Sequence, residues 1–156
     1  MPLIELKFQK DVLSPTSVDA LVTELTGHLL EAQGVAADTE TALKITRAEV
    51  SLLPVEAMFL GGQRTADALV RVSYLIPASA LDRAAKEALI EQSTKSVLAC
   101  GNMDHVEMNP LNVWCIINEI GCDNWGAAGK IWSWKEIKRF VAKGEIALRR
   151  RQTNQH

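Results

Sequence analysis

The chain has 156 residues, enough for one domain of ordinary size, and at 47% hydrophobic residues it can bury a core without disulfides or metal. Seventeen Lys and Arg against 19 Asp and Glu leave a net charge of -2, which gives no global pull toward nucleic acid or a membrane surface. Three cysteines, Cys100, Cys115 and Cys122, match neither a disulfide framework nor a zinc site, and no apolar run reaches membrane-spanning length. A cytoplasmic setting is the expectation, with a small-molecule substrate as partner and with no metal, cofactor, nucleic acid or membrane.

In chain order, Pro2 to Phe8 alternates, with Ile4, Leu6 and Phe8 on one face, and reads as a half-buried strand. Ser14-Pro15 marks a helix start, Val18, Leu21, Val22, Leu25 and Leu29 recur at helical spacing, and Gly34 suits the helix end. Ala42 to Leu53 reads as a second strand. Gly61-Gly62 then separates two halves. Asp67 to Ile76 is a third strand. A second helix is expected from Pro77 to about Leu98, with Ser79 and Asp82 spaced like a capping box. Asn112 to Ile120 is the fourth strand. Trp132 to Lys143 carries Trp134, Ile137, Phe140 and Val141 at helical spacing and reads as a short amphipathic helix. Arg149-Arg150-Arg151 falls in what reads as a solvated polar tail.

The same β-α-β order thus occurs twice, over about 2–60 and 65–131, within a single domain 1–156 whose last part, 132–156, is helix and tail. Pro15-Thr-Ser-Val echoes Pro77-Ala-Ser-Ala. The expected fold is α+β. Two fused β-α-β units form a four-stranded sheet with two helices on one face, plus a short C-terminal helix. The other face, left apolar and without cover, would be buried by oligomerisation.

Two stretches carry chemistry. Removal of Met1 would leave Pro2 with the chain's α-amino group as a secondary amine. A terminal amine titrates near ~8, desolvation lowers it, and a base near neutrality suits proton transfer. Alone, Met1-Pro2 is also the ordinary start of many chains. The second stretch runs from Asn112 to Gly129: a strand ending at Glu119, a short loop, then Trp125-Gly126 and Gly129. The glycines permit a tight turn that sets the aromatic over a pocket, although a packing Trp is the simpler reading.

Together these residues resemble the tautomerase superfamily, which includes 4-oxalocrotonate tautomerase, cis-3-chloroacrylic acid dehalogenase, malonate semialdehyde decarboxylase and macrophage migration inhibitory factor. Ile116-Ile-Asn-Glu-Ile with Trp125-Gly126 and Gly129 is similar to the 4-oxalocrotonate tautomerase pattern. Phe59-Leu-Gly-Gly62 resembles a segment of the cis-dehalogenases, and Gln63-Arg-Thr65 one of the decarboxylases. The resemblance covers about residues 2 to 131. It implies a cofactor-independent tautomerase or isomerase, a homotrimer, with Pro2 as catalytic base and acid in keto–enol proton transfer on a small carbonyl or enol acid. The alternatives are a dehalogenase, hydratase or decarboxylase on the same scaffold, or a non-catalytic trimeric binding subunit.

Departures from the pattern weigh on the alternatives. The dehalogenase and decarboxylase relatives carry an arginine pair where this chain reads Ile76-Pro-Ala-Ser79, and Asn124 stands where the dehalogenases place an acid. Trp114 stands about where 4-oxalocrotonate tautomerase has its strand arginine. Relocated cations are therefore candidates for holding a substrate carboxylate: Arg47 first, then Arg71 and Arg64. Trp125 and Trp114 are candidate apolar walls. His28, near the place of a dehalogenase helix histidine, is a further substrate-binding candidate, although a structural histidine fits its position on the flank of the apolar stripe. Glu119 reads as structural.

Overall fold

The computed structural model describes residues 2–153; Met1 and the last three residues of the tail lie outside the described residues. Strand β1 (Leu3–Gln9) leads into helix α1 (Pro15–Ala32), a short helix α2 (Glu40–Ile45) and strand β2 (Arg47–Leu53). A small hairpin, β3 (Phe59–Leu60) and β4 (Gln63–Arg64), joins the halves. The second half repeats the order: β5 (Val70–Pro77), α3 (Arg83–Met103), β6 (Val113–Ile120) and a second hairpin, β7 (Gly126–Ala127) with β8 (Lys130–Ile131). Helix α4 (Trp134–Thr153) closes the described chain.

The main sheet has the order β2-β1-β5-β6. Each unit contributes a parallel pair, and the two units meet through antiparallel β1 and β5. The alternation read from the sequence is realised: Ile4, Leu6 and Phe8 pair beside Tyr74, Val72 and Val70, and all six are buried under α1 and α3. Inside that layer the Tyr74 hydroxyl meets Ser93 Oγ at 2.6 Å, and Ser93 donates to the carbonyl of Leu89, so Tyr74 is the donor of the pair. Burial pushes the Tyr74 phenol far above its ordinary range.

Helices α1 and α3 start as side-chain caps demand. Ser14 Oγ accepts from the Ser17 N–H at 3.2 Å, with Pro15 in the first turn; Asp82 accepts from the Ala85 N–H at 2.8 Å. The cap of α1 is tied to the end of α3 as well. Asp104 takes the Ser14 N–H and the Ser17 hydroxyl, and these bonds hold its carboxyl below the usual range.

Four expectations are corrected. Residues 40–45 form a helix, not the start of a strand: Thr41 and Ala42 are buried on one side while Glu40 and Lys44 pair at i,i+4 on the other. The cap of α3 is Asp82 rather than Ser79, which takes a left-handed conformation at φ 66° before the helix begins. The Pro15 and Pro77 echo is therefore not a structural equivalence, since Pro77 ends a strand. Finally, α4 is not short. It runs 20 residues, and Arg149 to Arg151 belong to it rather than to a tail. Its start is a capping box, in which Glu136 accepts from the Ser133 N–H and Ser133 Oγ accepts from the Glu136 N–H.

The sheet face opposite α1 and α3 has no helix over it, as expected, but it is not uniformly apolar. Leu3, Leu75, Ile116 and Trp114 share it with Glu5, Lys7, Arg47, Glu49 and Arg71.

Candidate active site

Pro2 stands at the start of β1, and its carbonyl accepts the Arg47 N–H at 3.1 Å, which fixes the strand end against β2. Its ring forms a wall common to two cavities. One, of about 340 Å³, lies under α4 and is mostly apolar, with Leu30, Val35, Trp134, Ile137 and Val141 around it. The other, of about 590 Å³, is more polar. It is lined by Pro2, Leu3, Lys44, Arg47 and Trp125 with its two following residues.

Trp125 reaches this place because the β7–β8 hairpin folds back toward β1. The turn is made by Ala128 and Gly129, both at positive φ, as a tight two-residue hairpin requires. Gly126 is not at the turn; it pairs with Ile131 in the ladder. The Trp125 carbonyl accepts from the Trp132 N–H at 2.9 Å and so anchors the hairpin ahead of α4.

The structure brings Pro2, Arg47 and Trp125 to one cavity and leaves the other four candidates, Arg71, Arg64, Trp114 and His28, elsewhere. Arg47 is largely exposed, with a loose contact to Glu49 at 3.8 Å. Arg71 and Trp114 line a separate cavity of about 290 Å³ toward the other end of the sheet. Arg64 lies over the Phe59 ring at 5.1 Å. His28 Nε2 is 2.9 Å from Ser96 Oγ, joining α1 to α3, outside both Pro2 cavities. Glu119 is paired with Lys86 at 2.7 Å, and that bond holds its carboxyl below the usual range. Of Ile76-Pro-Ala-Ser79, the stretch where the resemblance places an arginine pair in the dehalogenases and decarboxylases, Ile76 is wholly buried and Ser79 is exposed.

Sequence reasoning missed three residues that the fold sets beside Pro2. Lys44 joins Arg47 as a second cation because α2 ends one residue before β2 starts its approach. Lys138, on α4, borders the apolar cavity. Gln33 borders it too, and its buried Nε2 has no hydrogen-bond partner, a donor kept dry without an acceptor. Gln33-Gly34 was readable only as a helix end.

Helix α4 holds the roof of the apolar cavity through α2: Glu145 accepts the Thr41 N–H at 2.8 Å. Gly144 makes this close approach possible, since a Cβ there would lie 2.5 Å from Thr41 side-chain atoms. Gly144→Ala is therefore expected to lower the melting temperature by loosening α4. Helix propensity alone favours alanine by about 1 kcal/mol. A melting temperature raised by the substitution would show that α4 does not dock in this way.

Among the described residues no helix is long and apolar enough to cross a membrane, and no group of three or more His, Cys, Asp and Glu is placed to hold a metal ion. No family model and no curated protein matches the sequence.

Solved structures share this fold of two β-α-β units joined through antiparallel first strands under two helices. The chain resembles a fused 4-OT solved as a wild-type asymmetric trimer, F6, with a TM-score of 0.69 at 22% identity over 83% of this chain and 94% of that one. N1, a member of the cis-3-chloroacrylic acid dehalogenase family, gives a TM-score of 0.69 at 20% identity over 89% and 90% of the two chains. A macrophage migration inhibitory factor-like protein from Entamoeba histolytica gives 0.62 at 14% identity over 84% and 98%.

Proposed function

We propose that this protein is a cofactor-independent tautomerase whose base is the Pro2 amine, freed by removal of Met1, and whose substrate is a small enol or keto acid. The observation that carries this reading is the position of Pro2 between a cation-bearing cavity and an apolar one. The substrate carboxylate lies toward Arg47 and Lys44, its apolar part toward Trp125, and its reacting carbons against the Pro2 ring. Pro2 takes a proton from carbon next to a carbonyl, or from a dienol hydroxyl. Its protonated form returns the proton to the carbonyl oxygen in the first case and to a carbon in the second, so the net change is a 1,3- or 1,5-keto–enol shift. Trp125 excludes water, which keeps the amine uncharged near neutral pH.

The absence of any arginine from Ile76-Pro-Ala-Ser79 favours this reading over dehalogenation or decarboxylation, because those side chains cannot neutralise a carboxylate. Purified protein assayed on phenylenolpyruvate and 2-hydroxymuconate, with intact mass measured on the same sample, tests it directly. Retained Met1 would overturn it, since Pro2 would then be an amide nitrogen.

The same reading includes a homotrimer. Leu3, Leu75 and Ile116 on the uncovered face, and Val50 and Leu52 exposed on the edge strand β2, are the surfaces it would bury. Sedimentation equilibrium is expected to give three copies of the 17.1 kDa chain. A stable monomer at micromolar concentration would contradict it.

A further inference from the structure

The two halves of the chain are related by a pseudo-two-fold axis, with an offset of 68 positions through the first strands and helices and of 67 through the second strands and hairpins. His28 and Ser96, 68 positions apart, hydrogen-bond to each other across α1 and α3. Glu5 and Ser73, separated by the same interval, face each other across β1 and β5. Residues that meet their own counterparts lie on the axis. The helix caps Ser14 and Asp82 obey the same interval.

Applied to the cavity of Pro2, Arg47 and Trp125, this operation reaches a second one. Pro2 falls on Val70 and Leu3 on Arg71. Leu3 pairs with Arg47 as Arg71 pairs with Trp114, so Arg47 falls on Trp114. The hairpins superpose Phe59 on Gly126, so Trp125 falls on Met58. Val70, Arg71, Trp114 and Met58 all line the 290 Å³ cavity. The chain therefore contains a symmetry-related copy of its Pro2 cavity in which valine has replaced the amine-bearing residue.

We propose that this second cavity is a non-catalytic binding site for a small apolar carboxylate. Val70 offers hydrocarbon where Pro2 offers a nitrogen, so no proton transfer follows binding. Met58, Phe59, Leu60 and Trp114 form the apolar wall. Lys7 and Arg71 supply the charge. They stand directly opposite each other across the antiparallel β1–β5 pair, on the same face. Like charges so placed repel. Among the described residues neither side chain has an ion pair, although Glu5 shares the face one pleat away. A carboxylate between the two cations removes the repulsion and gains charge-assisted hydrogen bonds. Its aryl or branched alkyl body covers Trp114 and Phe59, which are 62% and 52% exposed in the single chain.

The probes are 3-phenylpropanoate and its neutral counterpart 3-phenylpropanamide, titrated into the full chain while the tryptophan indole N–H resonances are followed. Trp114→Phe assigns the resonance. The expected result is a saturable shift of the Trp114 indole with the carboxylate, and binding of the amide weaker by about tenfold or more, the scale of a charge-assisted bond. Lys7→Ala and Arg71→Ala should each weaken the carboxylate by a similar factor with the spectrum still dispersed, and Arg71→Lys should recover part of it. Pro2→Ala should leave this titration unchanged, which separates the site from the catalytic reading. An immobile Trp114 resonance, equal affinity for the amide, or indifference to both alanine variants would overturn the proposal. So would a change of oligomeric state in those variants without a change in ligand affinity, because the cavity would then belong to a contact between copies.

Discussion

Pro2→Ala is expected to lower kcat/KM on phenylenolpyruvate by about a hundredfold or more, the scale of losing a positioned general base. The substitution keeps a small second residue, so Met1 removal is preserved and intact mass can confirm it. What remains is a primary amine on a freely rotating residue. That amine is not held in one orientation, so its lone pair is no longer aimed at the substrate. It also lacks the ring that is packed here between the two cavities. Because the base acts in the transition state, kcat and kcat/KM should fall together while KM changes little. Activity equal to wild type in a protein of verified mass would remove Pro2 from the mechanism.

Arg47→Ala is expected to raise KM for carboxylate substrates by about tenfold or more, with kcat nearly unchanged, because the guanidinium holds the carboxylate equally in ground and transition states. The companion measurement uses the methyl ester of the same enol acid, on which wild type and variant should differ little. Freeing Glu49 from its contact at 3.8 Å should cost little stability, since both side chains are mostly exposed. A carboxylate preference undiminished in Arg47→Ala would transfer the role to Lys44, the other cation of that cavity. Loss of preference only in the double variant would show that the two act together. Efficient turnover of 3-chloroacrylate or malonate semialdehyde by the wild type would show that the missing arginine pair does not decide the chemistry.

The sequence by itself determined the duplicated α+β architecture, because strand and helix periods are written in local apolar spacing: Ile4, Leu6 and Phe8 at every second residue, Leu21, Leu25 and Leu29 at every fourth. It determined the cap of α1 at Ser14 and the end of that helix at Gly34, whose φ of 73° suits glycine. It also pointed to Pro2, Arg47 and Trp125, which the structure places on one cavity. Only the tertiary structure decided the rest. Residues 40–45 became a helix because Thr41 and Ala42 pack beneath α4, a contact more than a hundred residues distant that no local period records. Arg71 and Trp114 went to a different cavity because antiparallel pairing of β1 with β5 sends the two units' strand starts to opposite ends of the sheet. His28 met Ser96 because the pseudo-two-fold axis passes between α1 and α3. Lys44 and Gln33 were mute in the sequence. A lysine before a strand and a glutamine at a helix end are ordinary residues until folding closes a cavity around them and leaves one buried amide without a partner.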